Sequence, residues 1–309
     1  MARVQYGMTI GGNRQPIADV ARRVEALGFD SIWTGGHLVW RTPTFDVMAM
    51  LAAMAAVTKR VRIGPSILLV PLQHPVVVCK AVTTLDHISN GRFSFGIGIG
   101  GEYPKEFDAV GVPVKERGPR TNESLELMKR LWTEDKVTFN GRFFKLIDTG
   151  LEPKPIQKPH PPIIVAGRKG SIARTAKYGD GWMPYMVSME MYRDWWGQIE
   201  EQAAALGRDP AKIERQLFVF ITVGKNKEEA VATSVRALGQ RYAQDFSKRV
   251  YSYHIAGTAQ QCAERIQEWA DIGVQHFIFS PSAGAEDIPT YPEIIANEVL
   301  PLVKKGKKQ

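Results

Sequence analysis

The sequence predicts an α/β protein whose parallel strands close into a (β/α)8 TIM barrel. Eight short apolar runs alternate with longer segments of helical period. Each run is apolar almost throughout, as expected of strands covered on both faces, and 309 residues suit one large barrel. Eight strands fit a closed ring better than an open sheet. With 44% hydrophobic and 23% charged residues the chain is not intrinsically disordered. No apolar run approaches the roughly 18–20 residues of a membrane span, and the opening MARVQYGMTI reads as a strand rather than a secretion signal. Two cysteines, Cys79 and Cys262, cannot build a disulfide framework, so a cytoplasmic location is expected. Half of the net charge of +8 comes from Lys304, Lys305, Lys307 and Lys308, read as a solvated tail. No basic stripe with interleaved aromatics suggests nucleic acid.

Taken in order, residues 4–10 are the first strand. Residues 16–27 form a helix with Pro16 at its start and Gly28 past its end. A short strand at 31–33 leads to a helix at 45–57. The third strand, 61–70, is interrupted by Gly64 and Pro65, and the helix 75–88 stops at Asn90-Gly91. The fourth strand, 93–99, runs into Gly100-Gly101. A helix at 120–132 follows, with Leu125, Met128, Leu131 and Trp132 on one face. In VTFNGRFF the Asn140-Gly141 pair predicts a hairpin, and the prolines of EPKPIQKPHPP make an extended connector. Then come a strand at 162–166, a helix at 171–178, a strand at 182–185, a helix at 190–206 and a strand at 217–223. Residues 225–256 read as polar and helical. The chain closes with a helix at 258–272, a strand at 275–279 and a helix at 292–304. Residues 1–303 are therefore expected to form one domain, with insertions at 102–160 and 225–256 after the fourth and seventh strands, and 304–309 as the basic tail.

A barrel of this kind builds its active site from loops at the C-terminal strand ends. The strongest signal there is IIVAGRKGSIARTA, where a strand enters Gly167-Arg168-Lys169-Gly170-Ser171 and a helix starts at once. Glycines and amides at a helix start accept an anion, two cations add charge, and Ser171 can cap the helix or bond a phosphate oxygen. The alternative is a tight turn with solvated basic residues. His37 follows the second strand, where an imidazole of ordinary pKa near 6.5 suits proton transfer; the alternative is a surface histidine. FGIGIGG matches G-x-G-x-x-G at Gly96, Gly98 and Gly101, but the following EYPKEFDAVGVP does not open a helix. It reads as a strand whose small residues admit a flat ligand, with Glu102 beyond it as proton donor or solvated acid. No HExxH, Cys/His spacing or GxSxG is present, so neither a metal nor a serine nucleophile is expected.

Over nearly its whole length the sequence resembles the luciferase-like monooxygenase family of flavin- and F420-dependent oxidoreductases. The resemblance is carried by GFDSIWTGGHL, VRIGPSILLVPLQHPVVVCKAVTTLDHISNGRFSFGIGIG and ELMKRLWTEDKVTFNGRFFKL. It continues in PKPIQKPHPPIIVAGRKGSIARTAKYGDGW and GTAQQCAERIQEWADIGVQHFIF. The size is closest to members that use coenzyme F420, a 5-deazaflavin. The resemblance implies that residues 64–68, with Gly64, Ser66 and Ile67, form a bulge behind the cofactor ring containing a non-prolyl cis peptide near Ser66-Ile67. It also implies that Gly98 and Gly100 adjoin the cofactor and that Gly167 to Ile172 cradle its phosphate. His37 and Glu102 become the proton-transfer residues, and Trp40, Tyr103 and Tyr185 border the substrate. The sequence departs from the family pattern in two places. Gly36 stands where many F420-dependent members carry an acidic or hydroxyl residue, and the extra glycine in Gly100-Gly101-Glu102 displaces the expected acid.

The implied function is hydride transfer between F420 and a small organic substrate by a homodimer. The alternatives are a two-component monooxygenase using oxygen and reduced FMN from a separate reductase, or a non-catalytic flavin-binding protein. An aldolase-like barrel is disfavoured, since Lys169 is the lone lysine near a strand end and sits in a loop.

Overall fold

The computed structural model describes residues 3–11 and 16–304; Lys305, Lys307 and Lys308 of the expected tail lie outside the described residues. The elements run β1 (Gln5–Thr9), α1 (Ile17–Ala26), β2 (Ser31–Gly36), α2 (Val47–Val57), β3 (Arg62–Leu69), α3 (Pro75–Ile88) and β4 (Phe95–Gly98). Next are α4 (Lys105–Ala109), α5 (Arg117–Thr133), the hairpin β5 (Val137–Asn140) and β6 (Lys145–Thr149), β7 (Ile163–Ala166), α6 (Ile172–Tyr178) and β8 (Gly181–Met183). The chain continues with α7 (Met189–Ala205), β9 (Glu214–Val223), α8 (Lys227–Tyr242), α9 (Val250–Tyr253), β10 (Ile255–Gly257), α10 (Ala259–Asp271), β11 (His276–Pro281) and α11 (Tyr291–Ile294). Among the described residues β1, β2, β3, β4, β7, β8, β9 and β11 pair in that order, all parallel, and β11 returns to β1. This is the closed (β/α)8 barrel expected from the alternation.

Four details differ from the sequence expectation. A one-turn helix, α4, does follow the glycines of β4; five residues are too few to show a helical period. Within 225–256 the short β10 pairs with the end of β9 outside the ring. The strand expected to reach Tyr185 stops at Met183, because Pro184 offers no N–H to a ladder. The last helix widens into a π turn at Ile295–Val299 and tightens into a 3-10 turn at Leu300–Leu302, where Pro301 removes a donor.

The barrel interior is organised around Trp33 of β2, whose side chain is fully buried among Ile164, Met183 and Ile278. Its neighbours make room for the indole by carrying no side chain. A Cβ on Gly64 of β3 would lie 2.7 Å from Trp33 Cζ3, one on Gly7 of β1 would lie 3.0 Å from Trp33 Nε1, and one on Gly96 of β4 would lie 3.3 Å from Cζ3. Above the indole the β2–β3 register shifts between Thr34 and Gly36, opposite the cis Ser66–Ile67 peptide that the resemblance implied. A Cβ on Gly98 would collide with Ile67 Cδ1, so β4 is notched to accept that bulge.

Below the indole a polar chain plugs the N-terminal end. Trp33 Nε1–H donates to Ser31 Oγ (2.8 Å), whose own proton goes to His276 Nε2 (2.7 Å). His276 Nδ1–H donates to Glu214 Oε1 (3.2 Å), which also accepts from Arg62 (2.9 Å), while Gln216 donates to Oε2 (2.8 Å). Burial pushes the His276 pKa down, so the ring is neutral, as this donor pattern requires. Burial alone would raise the Glu214 carboxyl. The bonds from His276 and Arg62, with the guanidinium charge, outweigh it and hold Glu214 well below the usual carboxylate range.

Ionised Glu214 therefore stabilises the fold above the ordinary carboxylate pKa of about 4.3, and that contribution fades as pH falls below it. Glu214→Gln should cost about 2 kcal/mol at pH 7, between exposed and fully buried pairs, or about 3 °C in Tm. Between pH 5 and 3 the variant should lose Tm less steeply than wild type. Thermal unfolding across that range by circular dichroism checks both, and parallel curves would refute the assignment.

Candidate active site

At the C-terminal end of β2 the chain leaves the sheet through Gly36. A Cβ there would lie 2.7 Å from Ile67 O and 2.9 Å from Val47 Cγ1, so β3 and α2 approach this position too closely for a side chain. His37 follows at the barrel mouth, and its partner comes from α4. Glu106 is almost fully buried. It accepts from His37 Nδ1–H (3.1 Å), from the Leu38 amide (2.8 Å) and from the Val39 amide (3.3 Å). A carboxylate can only accept, so this bond puts a proton on Nδ1, and in the neutral ring Nε2 is then the lone pair. Trp40 stacks on the imidazole with centroids 3.8 Å apart and planes 18° apart. Tyr103 and Tyr242 meet that indole edge-on at 5.6 and 6.4 Å.

His37, Trp40 and Tyr242 border a cavity of about 450 Å³, within the range of small-molecule sites. Thr34, Ser66, Phe218 and Ser280 come from the barrel strands, His37 and Trp40 from the loop after β2, and Arg241 and Tyr242 from the end of α8. Ser66 Oγ is shut off from solvent with no protein partner, a hydroxyl available to a ligand edge.

The turn after β7 is shaped by Gly167, whose φ of +139° suits a residue without Cβ. Arg168, Lys169 and Gly170 are exposed, and a Cβ on Gly170 would meet nothing within 4 Å. Ser171 differs from expectation. Its hydroxyl donates to Arg168 O (2.8 Å) and accepts from Trp182 Nε1 (3.1 Å), so it ties the turn to the core and does not cap α6. Ile172 is buried in the core beside it.

Glu102 is not the acid at the histidine; Glu106, four residues on, takes that place. Glu102 lies on the exposed rim and accepts from the Tyr185 hydroxyl, bridging the loops after β4 and β8. Burial first, and the Glu102 charge second, push the Tyr185 phenol well above its usual value. Gly64 and Gly98 face Trp33 and Ile67 and shape the barrel floor, while a Cβ on Gly100, at φ +62°, would lie 3.3 Å from Leu69. Sequence reading missed Glu106, Arg241 and Tyr242. Pro104 at the start of a short helix was a signal for the first, since it opens the turn that carries Glu106; the other two sat in a stretch read as a polar insertion. No group of three or more His, Cys, Asp or Glu side chains is placed to hold a metal among the described residues.

Known proteins share both this sequence and this shape. The family model of the luciferase-like monooxygenases matches residues 2–276. The F420-dependent glucose-6-phosphate dehydrogenase of Amycolatopsis mediterranei is 32% identical over 225 residues, which are 70% of this chain and 67% of that protein. An F420-dependent secondary alcohol dehydrogenase, solved with an F420-acetone adduct, superposes with a TM-score of 0.85 at 22% identity, covering 98% of this chain and 100% of that one. A monooxygenase of Streptomyces bottropensis superposes with a TM-score of 0.81 at 25% identity, covering 96% and 99%.

Replacing Glu106 with Ala strands two loop amides and the imidazole N–H. The expected loss is about 2–3 kcal/mol of stability, with faster amide exchange at Leu38 and Val39. Hydrogen-exchange mass spectrometry of the 36–46 loop reads this directly, and unchanged protection would contradict the bonding described.

Proposed function

The chain belongs to the luciferase-like monooxygenase family, and from that premise we propose that it is an oxidoreductase exchanging a hydride between coenzyme F420 and a small organic substrate. The observation that carries this reading is the committed tautomer of His37: Nδ1–H is spent on Glu106, so Nε2 is free for a substrate proton. The F420-dependent relative at 32% identity supports the deazaflavin over a flavin.

The residues present fit such a cofactor. The unpartnered Ser66 hydroxyl beside Ile67 suits the polar edge of a planar ring, and the open turn from Gly167 to Gly170, with Arg168 and Lys169, suits its phosphate. When bound, a 5-deazaflavin supplies hydride exchange at its C5. The protein's own part is the proton. His37 Nε2 takes it from an alcohol as the carbon is oxidised, and the imidazolium is stabilised by the Glu106 carboxylate and the Trp40 face. In the reverse direction the same atom returns it. Trp40 covers one face of the imidazole and is braced edge-on by Tyr103 and Tyr242, so the ring is held in place while part of it stays open to a ligand. Glu102 and Tyr185 act from the rim, as a bridge rather than as proton carriers.

A competing reading, favoured by the shared fold and 25% identity of the Streptomyces monooxygenase, is an oxygenase fed reduced FMN by a separate reductase. Fluorescence titration of the purified chain with F420 and with FMN separates the two. We expect F420 to bind and Gly170→Val to weaken it at least tenfold with Tm unchanged, while His37→Ala keeps binding within about threefold and loses at least a hundredfold in turnover. Binding of FMN alone would favour the oxygenase, and binding of neither would remove both.

The same reading extends to assembly and location. Helix α2, VMAMLAAMAAV, has no polar residue on any face, and α3 presents Val77 (64% exposed) and Ile88 (44%) beside it. A helix apolar all round is normally covered, which supports a homodimer through this face. Light scattering should give about 69 kDa, twice the chain mass of 34.5 kDa, and Val77→Asp should shift it toward one chain; a monomeric wild type would refute the dimer. Burial pushes the thiols of Cys79 and Cys262 up to about 12, so both are inert, in keeping with a cytoplasmic protein. No helix of the described residues is long and apolar enough to cross a membrane.

A further inference from the structure

The cavity is not symmetric about His37. On the barrel axis its walls carry hydroxyls, the imidazole and the Arg241 guanidinium, which donates to Pro281 O (3.3 Å) and lies 6.0 Å from the Phe220 ring centroid. Away from the axis it continues between the end of β1, helices α1 and α2, and the segment leading into α11. There its apolar walls are Ile10, Val20, Phe45, Met50, Ile288 and Pro292, with Thr9, Thr42 and Thr44 the hydroxyl-bearing residues among them. Ile10, Val20 and Met50 belong to the main apolar core, so this side is a recess in the core and not a groove in a polar surface. The cation that borders it, Arg23, is already engaged by Glu293 (3.1 Å) and by Pro289 O (2.7 Å).

We propose that this recess receives an apolar chain or ring of the substrate, making that substrate a hydrophobic alcohol or carbonyl compound. A hydroxyl-rich sugar phosphate placed against Ile10, Phe45 and Ile288 would give up more water hydrogen bonds than the few threonine hydroxyls nearby can replace. An alkyl group gains by the same burial, and each added methylene tightens binding by about threefold to fourfold. The chain thus differs in substrate from the glucose-6-phosphate dehydrogenases it resembles. The proposal rests on the hydride-transfer reading for what happens at His37, but the recess itself is tested without turnover.

The probe is N-phenyl-1-naphthylamine, an uncharged dye that fluoresces in apolar surroundings, titrated into the full chain. Saturable binding is expected, weakened at least tenfold by Ile288→Asp and by Phe45→Asp. Phe45 is 56% exposed, so its replacement leaves the core packed. The 2-alkanols from 2-butanol to 2-octanol should displace the dye, each methylene lowering the half-maximal concentration by about threefold, and millimolar glucose-6-phosphate should not. Absent dye binding, indifference to both variants, or displacement by glucose-6-phosphate in preference to 2-octanol would overturn the proposal. A parallel F420 titration judges the other reading separately: dye behaviour as expected without F420 binding would sink hydride transfer and leave the recess standing, while F420 binding without dye binding would do the reverse.

Discussion

The buried indole of Trp33 determines how the strands around it are built. A side chain of that volume fills the barrel only if its neighbours yield, and three do so by having no Cβ: Gly7, Gly64 and Gly96. Close packing leaves no slack for a methyl group at such positions. The indole N–H needs an acceptor in a dry interior, and the chain from Ser31 through His276 to Glu214 and Arg62 supplies it. The barrel is thereby closed at its N-terminal end. On the opposite side β3 bulges at Ser66 and Ile67 over the indole, and the Gly98 notch lets Ile67 settle. What remains open is the C-terminal mouth.

That mouth is governed by one buried carboxylate. Glu106 serves two functions from a single turn of helix: it holds the loop after β2 through two amides, and it orients His37 through Nδ1. The bond to Nδ1 turns the imidazole so that His37 lines the cavity. The Trp40 stack then fixes the plane of the imidazole. Position and protonation of one atom follow from contacts that never touch a ligand.

The rest of the mouth sets what is held there. Arg241 and Tyr242 arrive from α8, far along the chain, and give the axial side its charge and aromatic edge. Ile10, Val20 and Met50 reach the other side from the apolar core. His37 therefore sits at the boundary between a polar wall and an apolar one.

Local pattern was sufficient for the scaffold, because strand and helix periods and the Gly, Pro and Asn-Gly stops express interactions over a few residues. It also singled out His37 and the Gly167–Gly170 turn, where short-range chemistry carries the signal. It could not show that the G-x-G of β4 accommodates Trp33 and Ile67, that the Ser171 hydroxyl turns inward to Trp182, or that Glu106 displaces Glu102 beside the histidine. Nor could it assign α8 to the cavity. Each of those depends on which atoms meet across tens or hundreds of residues: composition and periodicity determined the barrel, while side-chain volume and hydrogen-bond demand inside the closed ring decided what its mouth can do.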